Sequence, residues 1–293
     1  MDVIAVFGST ASGKSAAALE LAGRLGGEIV NCDAMQLYRG LPILTNQPTA
    51  DEQRLVAHHL VGIWPLEHQG SVAEYAELAR SAIDAIVARG RPAIVVGGSG
   101  LYLRAALGPL QLPPRPASGS RQRWTALYDR LGAEQAHARL AAVDPAAAAA
   151  VHPNDRRRVV RALELAEQGA SLAPRESELW SVRPRHRTRL FGLDTDPQVV
   201  RERIAVRTRQ MFERGVEQEV RRVLDRHDVS TTAARIHGLQ DVTALIRGSI
   251  DRAQAERLLV TRTRRYAKRQ RVWMRRLPGL EPVSGCPAML DLL

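Results

Sequence analysis

Cysteine and lysine are scarce in this 293-residue chain, and long apolar runs are absent. Two cysteines, Cys32 and Cys286, cannot build a disulfide framework or a zinc knuckle, so a reducing cytoplasm is the expected compartment. Only two lysines occur, Lys14 and Lys268, which makes arginine the default cation. No apolar run reaches the ~18–20 residues needed to span a bilayer. Met1-Asp2 leads directly into Val3-Ile4-Ala5-Val6-Phe7, with no basic leader and no small-residue cleavage site, so neither a membrane span nor a secretory signal is expected. Internal repeats are also lacking, and Ala146–Ala150 is the one low-complexity patch.

What is present has the balance of a globular protein, 45% hydrophobic and 25% charged, long enough for one large domain or two moderate ones. The net charge of +11 is unevenly spread. Residues 1–110 carry 8 basic against 10 acidic side chains, whereas residues 111–293 carry 34 against 21. Within 251–276 the ratio is 10 to 2. A basic block joined to a near-neutral one reads as a polyanion-binding surface attached to a separate chemical core; the alternative is a solvated helix in an arginine-biased composition.

Strand and helix signals alternate at the start. Val3–Phe7 is an apolar run ending at Gly8, a helix is expected from Lys14 to about Leu25, and Glu28–Cys32 is a second strand ending at Asp33. Ser71 and Glu74 have capping-box spacing, and Val72, Tyr75, Ala76, Ala79, Ile83, Ile86 and Val87 then share a helical face that ends at Gly90. Ala93–Val96 is a third strand, closed by Gly97-Gly98. This alternation implies a parallel sheet with covered faces. Gln111–Ser120 is rich in Pro, Gly and Ser and reads as a linker, 121–170 is helical in composition, and Ser171–Arg189 is irregular. Leu190–Leu193 returns as a strand, and Asp196-Pro197 opens a helix expected to run to about Arg226. The fold class expected is α/β, a P-loop NTPase-like parallel sheet core (1–112 and 189–293) carrying a helical insertion domain (113–188).

The sharpest motif is Gly8-Ser9-Thr10-Ala11-Ser12-Gly13-Lys14-Ser15, which fits G-x-x-x-x-G-K-[ST] between a strand and a helix. Its glycines let backbone amides curl toward phosphate oxygens, the helix N-terminus adds partial positive charge, Lys14 reaches the outer phosphates and the Ser15 hydroxyl can ligate Mg²⁺. The strand that would ordinarily end in an Mg²⁺-binding Asp ends instead in Gly97-Gly98-Ser99-Gly100, which weakens a reading as an ordinary ATPase or kinase. Asp33, at the end of the second strand, should face the same cleft; the bland alternative is a turn aspartate. His58-His59 lacks partners at ligand spacing and reads as structural, and Cys32 reads as core. On 251–276, Leu259, Tyr266 and Trp273 form a narrow seam between two cationic flanks, Arg262, Arg265, Arg269 and Arg276 on one side and Arg264, Lys268, Arg271 and Arg275 on the other. This suits contact with a phosphate backbone. Arg157 and Arg161, four apart, share a face of another helix.

Taken together these segments resemble the bacterial-type tRNA dimethylallyltransferases (IPP transferases): GSTASGKS at 8–15, DAMQLY at 33–38, HHLVGIWPLEHQGSVAEY at 58–75, VVGGSGLYL at 95–103, DPAAAAAVHPNDRRRVVRALE at 144–164, RTRQMFERGVEQEV at 207–220 and RTRRYAKRQRVWMRR at 262–276. The resemblance implies transfer of a dimethylallyl group from dimethylallyl diphosphate to N6 of the adenosine 3′ of the tRNA anticodon. It makes Asp33 the general base, counts Arg207 as catalytic through contact with the diphosphate, with Arg203 as a neighbour, and makes Ser99, which stands where the family has Thr, a third catalytic residue with its hydroxyl near the reacting centre. Residues Gly8, Ser9, Thr10, Ala11, Ser12, Gly13, Lys14 and Ser15 would hold the diphosphate, with Mg²⁺ at Ser15. Contact with tRNA is implied for Asp33, Ala34, Met35, Gln36 and Ser99, for Arg157, Arg158, Val159, Val160 and Arg161, and for Arg121, with the insertion clamping the anticodon stem-loop. A monomer is expected.

The chain departs from the family's pattern at Ser9 (usually Pro), at Gln47 (usually Lys) and after Gly238, where the usual aromatic is missing. Two rival readings stay open at this point: a nucleotide kinase on the same core, and a nucleotide-switched RNA-binding module without catalysis.

Overall fold

The computed structural model describes residues 1–108, 114, 117–173, 184–225 and 229–293. In chain order the elements are β1 (Val3–Gly8), α1 (Lys14–Leu25), β2 (Glu28–Asn31), α2 (Pro42–Thr45), α3 (Ala50–Leu55), β3 (His58–His59), α4 (Val72–Ala88), β4 (Ala93–Gly97) and α5 (Gly100–Leu107). Four helices follow, α6 (Ser120–Leu131), α7 (Ala133–Val143), α8 (Pro145–Ala150) and α9 (Arg156–Ala166). The chain then forms β5 (Thr188–Leu193), α10 (Pro197–Glu213), α11 (Val216–Leu224), a 3-10 turn at Ala233–Arg235, α12 (Leu239–Ile246), α13 (Arg252–Met274), β6 (Leu280–Val283) and α14 (Cys286–Leu292). Two compact units result, Met1–Pro109 with Arg183–Leu293, and Leu110–Val182. The expected domain limits at 112/113, the linker residues 111–113, 115 and 116, the irregular residues 174–183 and the expected helix end at Arg226 lie outside the described residues.

The first unit holds a six-stranded, wholly parallel sheet in the order β3-β2-β4-β1-β5-β6. Its central strands are buried throughout, which is why β1 and β4 read as continuous apolar runs rather than alternating ones. On one face, Ala17, Ala18, Leu21 and Ala22 of α1 and Cys286 and Met289 of α14 pack with Ile4, Val6, Ile94, Val96 and Phe191. Because β4 lies between β1 and β2, the exits of β1 and β2 flank it on the same sheet edge, roughly 10 Å apart at the usual strand spacing.

Several details differ from the sequence expectations. Ser71 caps α4 by accepting from Glu74 N at 3.2 Å, but the Glu74 carboxylate turns to His68 Nε2 (2.9 Å) instead of closing a capping box. The reciprocal boxes are at Thr49–Glu52 and Asp251–Gln254. The helix opened by Asp196 stops at Glu213, because Gly215 takes φ 88 and starts α11 afresh. On α13 the buried stripe is Ala255, Leu259, Thr263, Ala267, Gln270 and Met274; of the expected seam only Leu259 lies on it, Tyr266 being half-buried and Trp273 exposed, and small and polar residues fill most of the rest.

The second unit packs α6 to α9 around Tyr128, Ala136, Leu140, Val159, Val160 and Leu163. A buried carboxylate holds it together. Glu164, 0% exposed, receives Arg121 Nε at 2.8 Å and Nη2 at 3.1 Å, and Arg161 Nη1 at 3.1 Å. Removing one member of a buried ion pair costs about 3–5 kcal/mol. The value here should lie at the low end, since Arg121 can return to water. Glu164→Ala is therefore expected to destabilise this unit by about 3 kcal/mol, measured by denaturant melting followed at Trp124; a change below half that would show that the ion pair does not hold the unit together.

Candidate active site

The phosphate loop follows from two glycines. Gly8 closes β1, and Gly13 takes φ 96, a region where a side chain is strained, so that α1 can begin at Lys14. Ser12 N donates to Ser9 O at 3.2 Å to close the turn. Lys14 Nζ donates to the same carbonyl at 3.4 Å. Burial lowers the Lys14 pKa below the ordinary lysine value, and the nearby Asp33 carboxylate works against that shift.

Asp33 is set by a turn that Asn31 builds. Asn31 Nδ2 donates to Asp33 O (3.1 Å) and Leu60 O (2.9 Å), while its Oδ1 accepts from Asp33 N (2.9 Å). Asp33 Oδ1 accepts from Met35 N at 3.0 Å; among the described residues Oδ2 makes no hydrogen bond. Gln36 Nε2 then donates to Asn46 O (2.6 Å) and Thr45 O (3.2 Å), and Gln47 Nε2 donates to Tyr38 O (2.7 Å) and Gln36 O (3.2 Å). Gln47, the residue standing for the family's usual Lys, thus holds this loop with a neutral amide.

A cavity of about 810 Å³ opens at the sheet edge and brings together Thr10, Ala11, Gly13, Lys14, Ser15, Asp33, Met35, Gln36, Arg203, Arg207, His237 and Tyr266. Arg207 Nη2 donates to Thr10 Oγ1 at 2.8 Å, and Arg203 Nη1 to Ser12 O at 3.3 Å. Burial lowers the Arg207 pKa, and Asp33 opposes that shift. Ser15 and Asp33 also line a smaller adjoining cavity of about 70 Å³. The Ser15 hydroxyl is a hard oxygen donor that suits Mg²⁺, which keeps several waters and binds through one or two protein oxygens. Among the described residues no cluster of three acidic, His or Cys side chains offers a dedicated metal cage.

Other sequence-derived candidates fall elsewhere. Ser99 is half-buried at the N-cap of α5 and outside the lining of the large cavity. Ser9 is buried and contributes its carbonyl; Ala34 sits in the turn after Asp33. In the second unit Arg157 and Arg158 are exposed, Arg161 is half-buried against Glu164, and Arg121 is engaged by the same carboxylate while staying 60% exposed. Val159 and Val160 are buried in that unit's core, so their side chains are packing residues and the arginines alone present a surface. His59 pairs with Glu28 (2.7 Å) and His58 Nδ1 donates to Val56 O (2.8 Å), both structural uses. Cys32 is 0% exposed, and burial pushes its thiol pKa up.

Sequence reading missed His237 and Gln270. His237 Nε2 bonds Thr263 Oγ1 at 2.9 Å and its ring stacks on Tyr266 at 5.8 Å. Gln270 joins the phosphate loop to the β4 turn. An uncharged amide among the cations of a basic helix was the available signal for Gln270.

A phosphate loop, a carboxylate and two arginines converging at the carboxyl edge of a parallel sheet define a P-loop group-transfer enzyme rather than a kinase, since β4 ends without the Mg²⁺-binding aspartate. The chain belongs to the IPP transferase family, whose pattern it matches over residues 36–277. It is 44% identical over 279 residues to a tRNA dimethylallyltransferase of Salinispora tropica, covering 95% of this chain and 86% of that one. The solved tRNA isopentenylpyrophosphate transferase of Bacillus halodurans superposes with a TM-score of 0.69 at 34% identity, covering 96% of this chain and 89% of that one. That of Staphylococcus epidermidis gives 0.71 at 28% identity, covering 99% and 96%.

His237 has a measurable consequence. Burial, aided by the Arg262, Arg269 and Arg207 cations and opposed by Asp33, pushes its pKa down to about 4 from the ordinary 6.5. The unfolded chain therefore binds a proton that the folded chain refuses between those values, so stability is full above pH 6.5 and is lost as pH falls toward 4. His237→Gln should make the melting temperature fall less steeply over this window than in the parent; parallel pH profiles would show that the buried neutral imidazole is not a source of acid sensitivity.

Proposed function

We propose that this chain transfers a dimethylallyl group from dimethylallyl diphosphate to N6 of the adenosine 3′ of a tRNA anticodon, giving N6-dimethylallyladenosine and diphosphate. The observation that carries this reading is the placing of Asp33 in one cavity with Lys14, Arg207 and the phosphate loop. The allylic C–O bond breaks, the N6–C bond forms, and the N6 proton passes to Asp33 Oδ2. An exocyclic adenine amine is a poor nucleophile whose proton becomes acidic only as the new bond forms, so a base in place serves the transition state. Loop amides, Lys14 and Arg207 meet the growing charge of the departing diphosphate. A Mg²⁺ held by the Ser15 hydroxyl, water and the substrate's own oxygens would, when bound, neutralise part of that charge.

The target base must leave the anticodon stack, at a cost of a few kcal/mol. Contacts to the RNA backbone offset that cost: Met35 and Gln36 at the cavity, the cationic flanks of α13, and Arg121, Arg157, Arg158 and Arg161 of the helical unit, which on this reading binds the anticodon stem. No helix among the described residues is long and apolar enough to cross a membrane. The reading places the chain in the cytoplasm, acting as a monomer.

Two measurements test this. With labelled dimethylallyl diphosphate and an anticodon stem-loop, Asp33→Asn should slow single-turnover transfer by ~10²–10⁴ while leaving both substrate affinities nearly unchanged. Near-parental transfer would remove the base from this position. Stem-loop binding should weaken steeply with salt, and replacing Arg157 and Arg158 together by Ala should reduce the log–log slope by about 1–2; an unchanged slope would move the RNA site off the helical unit.

A further inference from the structure

One neutral side chain joins both walls of the site to the arginine helix. Gln270, 3% exposed on α13, uses both ends of its amide. Its Oε1 accepts from Thr10 N at 2.8 Å and its Nε2 donates to Gly98 O at 3.0 Å. Thr10 belongs to the phosphate loop and Gly98 to the turn that closes β4. The Thr10 hydroxyl is meanwhile held by Arg207 from α10, so this loop residue is fixed from two helices at once.

The glycines of the β4 turn record the same contact. A Cβ at Gly98 would stand 2.1 Å from Gln270 Nε2 and 2.8 Å from Gly8 O. A Cβ at Gly100 would stand 2.4 Å from Trp273 Cε3, also on α13. Neither position admits a side chain while α13 lies where it does. Phosphoryl-transfer enzymes of this fold place an aspartate at the end of a strand beside the loop; here that end is glycine and an amide from α13 fills the space.

The geometry points to Gln270 as a positioning residue: it fixes the phosphate loop and the β4 turn to each other and to α13, so that the loop keeps its diphosphate-binding shape. This rests on the reading of the loop as the diphosphate site. An amide suits the role because it accepts and donates together and adds no charge beside the phosphate loop. The side chain is buried and does not reach RNA, so its loss acts on diphosphate binding and transfer and not on stem-loop affinity.

The test compares the parent, Gln270→Leu and Gln270→Glu, each well below its melting temperature. Gln270→Leu keeps the bulk and loses both bonds. Affinity for inorganic diphosphate should fall about tenfold, the single-turnover transfer rate should fall with it, and stem-loop affinity should stay within about twofold. Gln270→Glu keeps an acceptor for Thr10 N but turns a second acceptor toward Gly98 O and adds a negative charge beside the phosphate loop, so its diphosphate affinity should fall at least as far as that of Gln270→Leu; parental diphosphate affinity in Gln270→Glu would overturn the proposal. A lower melting temperature with parental diphosphate affinity and transfer would reduce Gln270 to packing and overturn the proposal, as would equal losses of diphosphate and stem-loop affinity. In the parent chain alone, the Thr10 amide should exchange hydrogen more slowly than the adjacent Ala11 amide; equal rates overturn the proposal even where the variants fail to fold. A parent that binds diphosphate but transfers nothing would sink the transferase reading, and the Gln270 outcome is then read from diphosphate affinity.

Discussion

A carboxylate base and a diphosphate leaving group repel each other, and on the function we propose this site holds both. Two unit charges about 6 Å apart interact by ~3 kcal/mol at the effective dielectric near a protein surface, enough to weaken binding more than a hundredfold if nothing opposed it. Lys14 and Arg207 supply the opposition. Both are coupled to Asp33, and both are bonded to the phosphate loop, Lys14 through Ser9 O and Arg207 through Thr10 Oγ1. Their own pKa values are lowered by burial, a strain that an anion in the cavity relieves.

The sheet order makes that balance possible. With β4 between β1 and β2, the phosphate loop and Asp33 leave the same edge without touching. The turn after β2 is held because the Asn31 side chain donates to both Asp33 O and Leu60 O and accepts from Asp33 N. The following loop is closed by Gln36 and Gln47, and α2 behind it is capped by Glu219, which accepts from Ile43 N at 2.7 Å and Leu44 N at 2.8 Å.

Elements with a strong local cause were legible in the sequence. Buried strands β1, β2 and β4 announced themselves as apolar runs, α1 followed from the loop, and the opening of α10 from Asp196-Pro197. The edge strands were not legible: β3 is two histidines held by pairing with β2, and β6 contains Pro282, tolerated because it sits at the sheet edge. The inner stripe of α13 was read only at Leu259, because Ala255, Thr263, Ala267 and Gln270 are small or polar and carry no hydrophobic period. The loop and Asp33 carry motifs; His237 and Gln270 act through tertiary proximity, and Gln270 lies 260 residues from Thr10.

The scarcity of lysine gives the site an unusual chemical handle. Of the two side-chain amines in the chain, Lys268 is exposed on α13, while Lys14 is half-buried in the loop, where burial lowers its pKa below the ordinary lysine value. Lys14 is thus the one side-chain amine in the phosphate loop, so acylation mapped by peptide, with Lys268 and the Met1 α-amine as exposed internal references, follows occupancy of the loop as protection of Lys14 without any substitution in the chain.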